Sequence, residues 1–337
     1  MGGFIGPRGA MPLENPSGKP LASILICSRD RRADLEKIVH DLKTMDTIHS
    51  FDIVVVEETD APRPIAGVLY IAHAVKNLGF AHARNLSIAQ AKGDIVVFVD
   101  DDCQIREGWL DNLLRPFVDE TVIGAQGGVV VPEGTNAIGW AESLLGFPGG
   151  GVRRVVDSGG SMQETMEVST LNSAYRRDVV QAVGGFSHML KWGSEDYLLA
   201  KKACKFGRCL FMPDALVAHK ARGSFSSIWG WFVRRGRAEV GVVRSREYAV
   251  AGWASVLRSS LLLKLLSISM LGLSFPLGWF YFLLLFLLFY SLLQYYRSWP
   301  VWRRSAPPLL SLILVPIVKL TMDLAADVGR LMGILND

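Results

Sequence analysis

The segment Leu265–Tyr296 is 32 residues long and contains no charged residue. As one straight helix it would measure roughly 48 Å, whereas the hydrocarbon core of a membrane is about 30 Å thick. One span is therefore too long, and Pro276 near its middle favours a hairpin of helices at about 257–275 and 277–296. Basic residues flank both ends of the segment and none lies in its middle. This predicts a cell-membrane protein with both ends of the hairpin on the cytoplasmic face, and a buried helix pair in a soluble protein is the alternative.

The last apolar stretch, 307–335, is predicted to form an amphipathic helix that lies in the membrane interface. Its charged residues share one helical stripe, and apolar side chains take another face. The charged residues are Lys319, Asp323, Asp327 and Arg330. A third membrane span, in which Lys319 and Asp323 form an i,i+4 pair, is the alternative.

The part of the chain from about 20 to 223 alternates short apolar runs with stretches of helical periodicity. Leu21–Cys27, Phe51–Val56 and Asp94–Val99 have the length and composition of strands. Strand–helix–strand alternation predicts an α/β fold with a mostly parallel sheet and helices on both of its faces. Residues 1–19 are rich in Gly and Pro, show no signal-peptide pattern and are expected to be a flexible lead-in.

Polar residues follow each of these strands, at Ser28–Asp30, Glu57–Asp60 and Asp100–Asp102. Ligands of α/β sheets bind beyond the carboxyl ends of the strands, so these clusters predict one shared site. Three adjacent carboxylates repel one another, and a divalent cation such as Mg²⁺ or Mn²⁺ offsets that repulsion. Alternate residues of an extended segment point the same way, so Asp100 and Asp102 are expected to face one ligand. A solvated loop or a helix N-cap is the alternative for this triplet.

Seven segments follow one another in a defined order: SILICSRDR, VVVEETD, NLGFAHARN, GD, FVDDD, NSAYRRDVVQAVGGF and GSEDYLLAKKA. In order and spacing they resemble the motifs of glycosyltransferase family 2, over roughly 23–223. That family commonly has SVVICTRNR, VVVDDGSTD, N-x-G-x-A-x-ARN, a DxD motif and an xED motif at these places. The resemblance implies a GT-A (Rossmann-like) mixed sheet, a nucleotide-sugar donor and a divalent metal, Mn²⁺ or Mg²⁺.

The resemblance also implies roles for individual residues. Asp100 and Asp102 would bind the metal and the donor diphosphate, and His219 would complete the metal shell. The implied donor-binding residues are Ser28, Arg29, Glu57, Glu58, Arg84, Asp100 and Asp101. The family usually has Asp where this chain has Glu57 and Glu58, so the contact with the nucleobase or ribose is left open. An ordinary surface or core histidine is the alternative for His219.

Asp196, with Glu195 beside it, is implied as the general base that takes the proton of the acceptor hydroxyl. An inverting transfer needs this carboxylate in addition to the metal, which neutralises charge on the departing diphosphate. Both acids also stand where a helix is predicted to begin. Acids at that position complement the helix dipole, so a purely structural role is the alternative.

The segment 224–256 joins the two parts of the chain and combines aromatic with basic residues. This composition suits a membrane surface or an anionic lipid headgroup. The residues expected to face the lipid or the acceptor are Trp192, Arg234, Arg235 and Arg237. A solvated basic helix is the alternative for the segment, and a core position is the alternative for Trp192.

Together these features predict an inverting glycosyltransferase that acts at the cytoplasmic membrane face on a lipid-linked, polyprenyl-type glycan. The alternatives are a polyprenyl-phosphate glycosyltransferase and a catalytically inactive scaffold or sugar-binding subunit. The chain lacks the QxxRW motif of processive synthases and the GxGxRxxPLT opening of nucleotidyltransferases. A net charge of +4 argues against a nucleic-acid partner. The four cysteines form no CxxC pair, which argues against zinc and favours a reducing compartment. The oligomeric state is left open.

Overall fold

The computed structural model describes residues 18–74, 78–190, 192–245, 249–272 and 278–336. The predicted lead-in, 1–19, lies almost entirely outside these described residues, and so does the turn expected at Pro276. Nine strands of the described chain form one sheet. In chain order they are β1 Ala22–Arg29, β2 Phe51–Glu58, β3 Leu69–His73, β4 Ile95–Val99, β5 Cys103–Ile105, β6 Val122–Val130, β7 Gln163–Glu164, β8 Asn172–Arg176 and β9 Arg208–His219.

The order across the sheet is β3-β2-β1-β4-β8-β6-β9-β5, and β7 pairs with β9. Strands β3, β2, β1 and β4 are parallel, whereas β8 lies antiparallel between β4 and β6. The sheet is therefore mixed, which confirms the predicted α/β class. Because β1, β2 and β4 run the same way, Ser28 pairs in register with Glu57 and the carboxyl ends meet at one edge. That edge carries the three polar clusters.

Two hydrophobic cores cover the two faces of the sheet. Side chains alternate along each strand, so Ile24 and Val55 belong to one core while Leu25 and Val54 belong to the other. The first core is closed by α1 and α3, and the second by α2, α6 and α7. The helices of this part are α1 Arg32–Thr44, α2 Phe80–Gln90, α3 Trp109–Leu114, α4 Ala137–Leu144, α5 Gly151–Asp157, α6 Arg177–Ala182 and α7 Glu195–Ala203.

The C-terminal helices pack against the sheet part through a third core. These helices are α8 Phe225–Arg244, α9 Ala249–Ser259, α10 Leu261–Gly272, α11 Gly278–Ser305 and α12 Leu309–Asn336. Ile228 of α8, Val301 of α11 and Val318 of α12 share this core with side chains of α4 and α5. α8 and α12 cross closely at Gly236. A Cβ at this position would lie only 2.0 Å from the carbonyl oxygen of Ala326.

Two of the described helices are long and apolar enough to cross a membrane, over Phe280–Ser305 and Leu309–Leu335. α9 and α10 are bent by 62° at their junction and count as a further, broken candidate. The structure differs from the predicted hairpin in both arms, and the first arm, expected over 257–275, contains the bend between α9 and α10. Its second arm was expected to end near Tyr296, but α11 continues to Ser305 with Pro300 inside it. Packing of Val301 in the third core extends the helix beyond the uncharged segment.

The charged stripe of α12 faces protein instead of water. Asp327 and Arg330 are only 2 % and 8 % exposed, whereas Leu331 and Leu335 are 50 % and 78 % exposed. Arg330 forms ion pairs with Asp327 at 2.6 Å and with Glu239 of α8 at 2.7 Å. These two charges can leave water because they pair with each other and with Glu239 of α8. The exposed apolar face remains available to lipid.

Further along the same stripe, Lys319 and Asp323 form the i,i+4 ion pair expected from the sequence. The hydroxyl of Tyr290 on α11 donates a hydrogen bond of 2.9 Å to Asp323. Each acid of the stripe thus has a partner within the protein, as charges near a membrane require.

Candidate active site

Two acids at the end of β2 each face an arginine, one at the end of β1 and one at the start of α1. Nη1 of Arg29 lies 3.5 Å from Oε1 of Glu58. Nη1 of Arg32 donates a hydrogen bond of 3.0 Å to Oε2 of Glu57, and the hydroxyl of Tyr70 donates to the same oxygen. Both carboxylates are buried, and the two arginines balance their charges inside the protein. The structure thus brings three of the predicted donor-binding residues, Arg29, Glu57 and Glu58, to one side of the site.

A third arginine, Arg31, reaches the acidic triplet. Its Nη1 donates hydrogen bonds to Oδ1 of Asp101 at 2.9 Å and to Oδ2 of Asp102 at 2.7 Å. The residue before it, Asp30, has a φ of 56°, a left-handed conformation that costs energy outside glycine. Asp101 also accepts a hydrogen bond of 2.7 Å from the hydroxyl of Ser28. Burial raises the pKa of Asp101 to about 6, although Ser28 and Arg31 oppose the rise.

Asp100, Asp102 and His219 converge as predicted. Asp100 follows β4, and the chain then turns into β5, which pairs antiparallel with the end of β9. The register places Cys103 opposite His219, so the histidine lies beside the acids. One ligand atom from each of the three residues lies within 4.8 Å of the others. The topology of β5 and β9 therefore assembles the candidate metal site.

The chemistry of these three side chains fits a divalent cation. Nδ1 of His219 is buried and has no hydrogen-bond partner among the described residues. Nε2 of His219 lies 3.1 Å from Oδ1 of Asp102. Burial alone would raise the pKa of Asp102, but His219 and Arg31 outweigh it, so the pKa is lowered and the carboxylate stays ionised. Two carboxylates and an imidazole form a donor set that first-row divalent metals accept.

Arg84 of α2 links the acidic triplet to the acidic pair at the start of α7. It forms an ion pair with Glu195 in which the two side chains are 11 % and 8 % exposed. Its Nη2 lies 4.0 Å from Oδ1 of Asp100. The guanidinium carbon lies 5.3 Å and 5.5 Å from the ring centroids of Phe80 and Phe186. Arg84 is therefore held from several sides between two groups of acids that are distant in sequence.

Asp196, the predicted general base, has different surroundings from its neighbour Glu195. It is partly exposed, and its Oδ1 accepts a hydrogen bond of 2.8 Å from the backbone N–H of Tyr197. The preceding backbone is unusual, since Gly193 has a φ of 120° and Ser194 a φ of 69°. Left-handed backbone of this kind concentrates at functional sites. Of the two acids, Asp196 has the accessible carboxylate and Glu195 the buried one.

The four residues predicted to face the acceptor do not form one cluster. The guanidinium carbon of Arg237 lies 3.6 Å from the ring centroid of Trp192, which is itself partly exposed near the acidic pair. Arg235 lies 5.0 Å from the ring centroid of Phe147 instead. Arg234 is exposed. The structure therefore brings Trp192 and Arg237 together, and separates Arg235 from them.

Sequence reasoning missed several charged residues of this region. Arg31 and Arg32 went unassigned, although the run SRDRR places them next to a predicted site residue. The buried Glu142 of α4 accepts hydrogen bonds from the backbone N–H and Nη1 of Arg222 at 2.7 Å and 2.6 Å. This pair fixes the loop that follows His219. Its two members are far apart in sequence, so no local signal indicated it.

A mixed sheet whose carboxyl edge gathers a DxD motif and a separate acidic pair has the architecture of the GT-A glycosyltransferases. Residues 23–184 match the family model described as Glycosyl transferase family 2. The chain therefore carries a glycosyltransferase family 2 domain, followed by long apolar helices.

Several known proteins are similar to this chain. The pre-mycofactocin glycosyltransferase of Mycobacterium tuberculosis is 32 % identical over 170 residues, which make up 49 % of this chain and 34 % of that protein. Glycosyltransferase AglE of Haloferax volcanii is 30 % identical over 148 residues, 42 % of this chain and 44 % of that protein. The chain thus spans less than half the length of these two curated relatives.

Among solved structures, the mannosyltransferase PcManGT from Pyrobaculum calidifontis, in complex with GDP-Man and Mn²⁺, has a TM-score of 0.55 to this chain. The similarity covers 96 % of this chain and 89 % of that one at 16 % sequence identity. It confirms the fold, which at this coverage includes most of the C-terminal helices.

Proposed function

We propose that the protein is a membrane-bound, inverting glycosyltransferase. It transfers a sugar from a nucleotide-diphosphate sugar to a lipid-linked, polyprenyl-type glycan. The observation that carries this proposal is the convergence of Asp100, Asp102 and His219 within 4.8 Å at the carboxyl edge of a family 2 sheet. The buried Nδ1 of His219, which has no hydrogen-bond partner among the described residues, lowers stability unless a ligand binds it, and this argues against an inactive scaffold.

In the proposed enzyme, Asp100, Asp102 and His219 hold a divalent cation. This cation neutralises the negative charge that develops on the departing diphosphate. The imidazole of His219 favours Mn²⁺ over Mg²⁺, because Mg²⁺ prefers an all-oxygen shell. Arg31 and Arg84 add fixed positive charge at the same edge, which suits the phosphate oxygens of the donor.

Asp196 is proposed as the general base. Its carboxylate takes the proton of the acceptor hydroxyl while that oxygen bonds to the anomeric carbon, and the bond from this carbon to the diphosphate oxygen breaks. Attack from the side opposite the leaving group inverts the anomeric centre. The partial exposure of Asp196 supports this role, because the acceptor must reach the carboxylate. Glu195 positions the start of α7 through its ion pair with Arg84.

The acceptor is proposed to approach along α8, between the acidic pair and the membrane. Trp192 offers an aromatic face to a sugar ring, and the stacked Arg237 belongs to α8. Trp229 and Arg234 on the same helix are exposed. An aromatic and basic surface of this kind suits a glycan whose lipid carrier ends in phosphate. A bare polyprenyl phosphate is the alternative acceptor.

We further propose that the domain of about 20–223 lies on the cytoplasmic face of the cell membrane, with 224–256 at the surface and 257–337 forming the membrane region. The basic residues Arg258 and Lys264 before the hairpin and Arg303 and Arg304 after it support this orientation. α12 packs along α8 and shares a core with α4, so we assign it to the membrane surface, with its exposed leucines towards lipid.

The test is a transfer assay with the purified full-length chain. GDP-mannose and UDP- and dTDP-sugars are offered with Mn²⁺, with Mg²⁺ or with EDTA, and with either polyprenyl phosphate or a polyprenyl-diphosphate-linked glycan. We expect metal-dependent turnover of one donor onto the glycan, and loss of turnover in Asp102→Ala. The surface variant Asp119→Ala is the matched control, because its exposed ion pair is with Arg208 at the start of β9, the opposite end of that strand from His219. Absence of turnover and of metal-dependent nucleotide binding across the panel would reject the proposal.

A further inference from the structure

Two cysteines lie in contact, one where α7 ends and the other where β9 begins. Sγ of Cys204 lies 3.1 Å from Sγ of Cys209, and both side chains are free thiols. A disulfide requires a sulfur–sulfur distance of about 2.05 Å, so the two atoms need to approach by only about 1 Å. Such a movement is within the range of small side-chain torsion changes. The contact therefore presents two thiols already arranged for bond formation.

The backbone around the two cysteines is held firmly. The N–H of Cys204 donates a hydrogen bond of 2.9 Å to the carbonyl of Ala200, and the carbonyl of Cys209 accepts one of 2.8 Å from Thr165. Between the cysteines, the backbone of Gly207 lies so close to Thr121 that an added Cβ would be 2.4 Å from the Thr121 carbonyl oxygen. This position therefore requires glycine. Because the fold already fixes both ends of the loop, closing the bond removes little further freedom from the native chain.

The two thiols are not equivalent. Cys204 is partly exposed, and Cys209 is buried. The thiol–thiol contact with Cys209 lowers the pKa of Cys204 against the effect of burial, with Lys201 adding to the decrease. The same pairing, together with burial, raises the pKa of Cys209. Cys204 thus has the accessibility and ionisation of an attacking thiol, and Cys209 is placed as the thiol that resolves a mixed disulfide.

We propose that Cys204 and Cys209 form a reversible dithiol–disulfide pair that reacts with low-molecular-weight disulfides. The thiolate of Cys204 attacks glutathione disulfide, forming a mixed disulfide and releasing one glutathione thiolate. Cys209 then gives up its proton and attacks Sγ of Cys204, which releases the second glutathione. Two protein thiols are oxidised to one disulfide while glutathione disulfide is reduced to two glutathione molecules. Oxidation thereby clamps the end of α7, which begins at Glu195, to the start of β9, which ends at His219.

The sequence allows a direct readout by peptide mapping. Trypsin cleaves after Lys202, Lys205 and Arg208, so the two cysteines fall into the separate peptides 203–205 and 209–220. The purified full-length chain is equilibrated in glutathione buffers of increasing oxidised fraction, blocked with iodoacetamide and digested without reductant. We expect the two peptides to become linked, to lose two hydrogen atoms in mass, and to separate again after dithiothreitol.

The other two cysteines serve as internal controls. Burial of its sulfur raises the pKa of Cys27 to about 12, so this thiol should react far more slowly than Cys204 although both residues are partly exposed. Cys103 is buried and should remain unmodified until the protein is denatured. Cys209→Ser should stop at a glutathione adduct on Cys204, and Cys204→Ser should leave Cys209 unreacted. The proposal is overturned if the two peptides stay separate at every glutathione ratio, or link only after denaturation. It is equally overturned if Cys209 acquires glutathione in Cys204→Ser as fast as Cys204 does in Cys209→Ser.

Discussion

Nη1 of Arg31 lies 2.7 Å from Oδ2 of Asp102, so an arginine from the loop after β1 neutralises one of the acids expected to hold the metal. A cation that binds there meets the repulsion of this guanidinium. Removing one unit charge a few ångströms away should tighten Mn²⁺ binding about tenfold, or about 1.4 kcal/mol. We therefore expect Arg31→Gln to bind Mn²⁺ more tightly than the native chain when no nucleotide is present, as measured by isothermal titration calorimetry.

Two further variants make this test specific. Arg31→Lys keeps the charge and should stay close to the native affinity. Arg32→Gln removes a neighbouring arginine that pairs with Glu57 and Glu36, and it should leave Mn²⁺ affinity nearly unchanged. An unchanged or weaker Mn²⁺ affinity in Arg31→Gln would show that the arginine does not compete with the metal.

Asp196→Asn should lower the transfer rate by about 10²- to 10⁴-fold, because a neutral amide cannot accept the acceptor proton. Donor binding in the presence of Mn²⁺ should persist, since the proposed metal site is separate. Asp178→Asn is a matched control: the Oδ1 of Asp178 accepts the N–H of Val179 at 2.8 Å, as the Oδ1 of Asp196 accepts that of Tyr197. If both variants lose activity equally, or neither does, Asp196 acts only as a helix-terminal acid.

Glu195→Ala should destabilise the protein by about 3–5 kcal/mol, because it leaves the buried charge of Arg84 without its partner. The expected result is a lower unfolding temperature of the protein in detergent, as monitored by tryptophan fluorescence. Replacing both partners with Met should cost less, since no unpaired charge remains. Asp119→Ala, which breaks an exposed ion pair with Arg208, should lower the unfolding temperature far less, because solvent screens that pair. Equal losses in Glu195→Ala and Asp119→Ala would contradict a buried pair.

Gly236→Ala should disrupt the crossing of α8 and α12, because the added Cβ would lie 2.0 Å from the carbonyl oxygen of Ala326. Forcing the helices apart is expected to cost about 1–3 kcal/mol. Gly230 lies on the same helix, and apart from its chain neighbours and the helix's own backbone no atom of the described residues would come within 4 Å of a Cβ there. Gly230→Ala should therefore be neutral or stabilise α8 by up to about 1 kcal/mol. A thermal unfolding series that ranks the two variants the other way would argue against this helix contact.

Local sequence was sufficient where the signal depends on neighbouring residues. Continuous apolar runs predicted β1, β2 and β4, and their polar ends predicted one edge site, because parallel strands end on the same side. The ordered motifs led to the family 2 domain, which the family match confirms. The uncharged run predicted two arms that cross a membrane, and the structure has one helix of that length there, Phe280–Ser305. The first arm falls on the bent pair α9 and α10, and the second long apolar helix, Leu309–Leu335, lies in the stretch predicted to be interfacial. The roles of the individual site residues remain predictions.

Tertiary structure decided every relationship that joins distant segments. The pairing of β5 with β9 brings His219 to the acids. α2 and α7 contribute to the same core on one face of the sheet, which lets Arg84 form its buried ion pair with Glu195. Glu239 of α8 forms an ion pair with Arg330 of α12, so this part of the polar stripe faces α8. Sequence alone determined which segments are apolar, helical or acidic, since these properties follow from adjacent side chains. Which charge meets which depends on strand order and helix docking, and only the folded chain sets those distances.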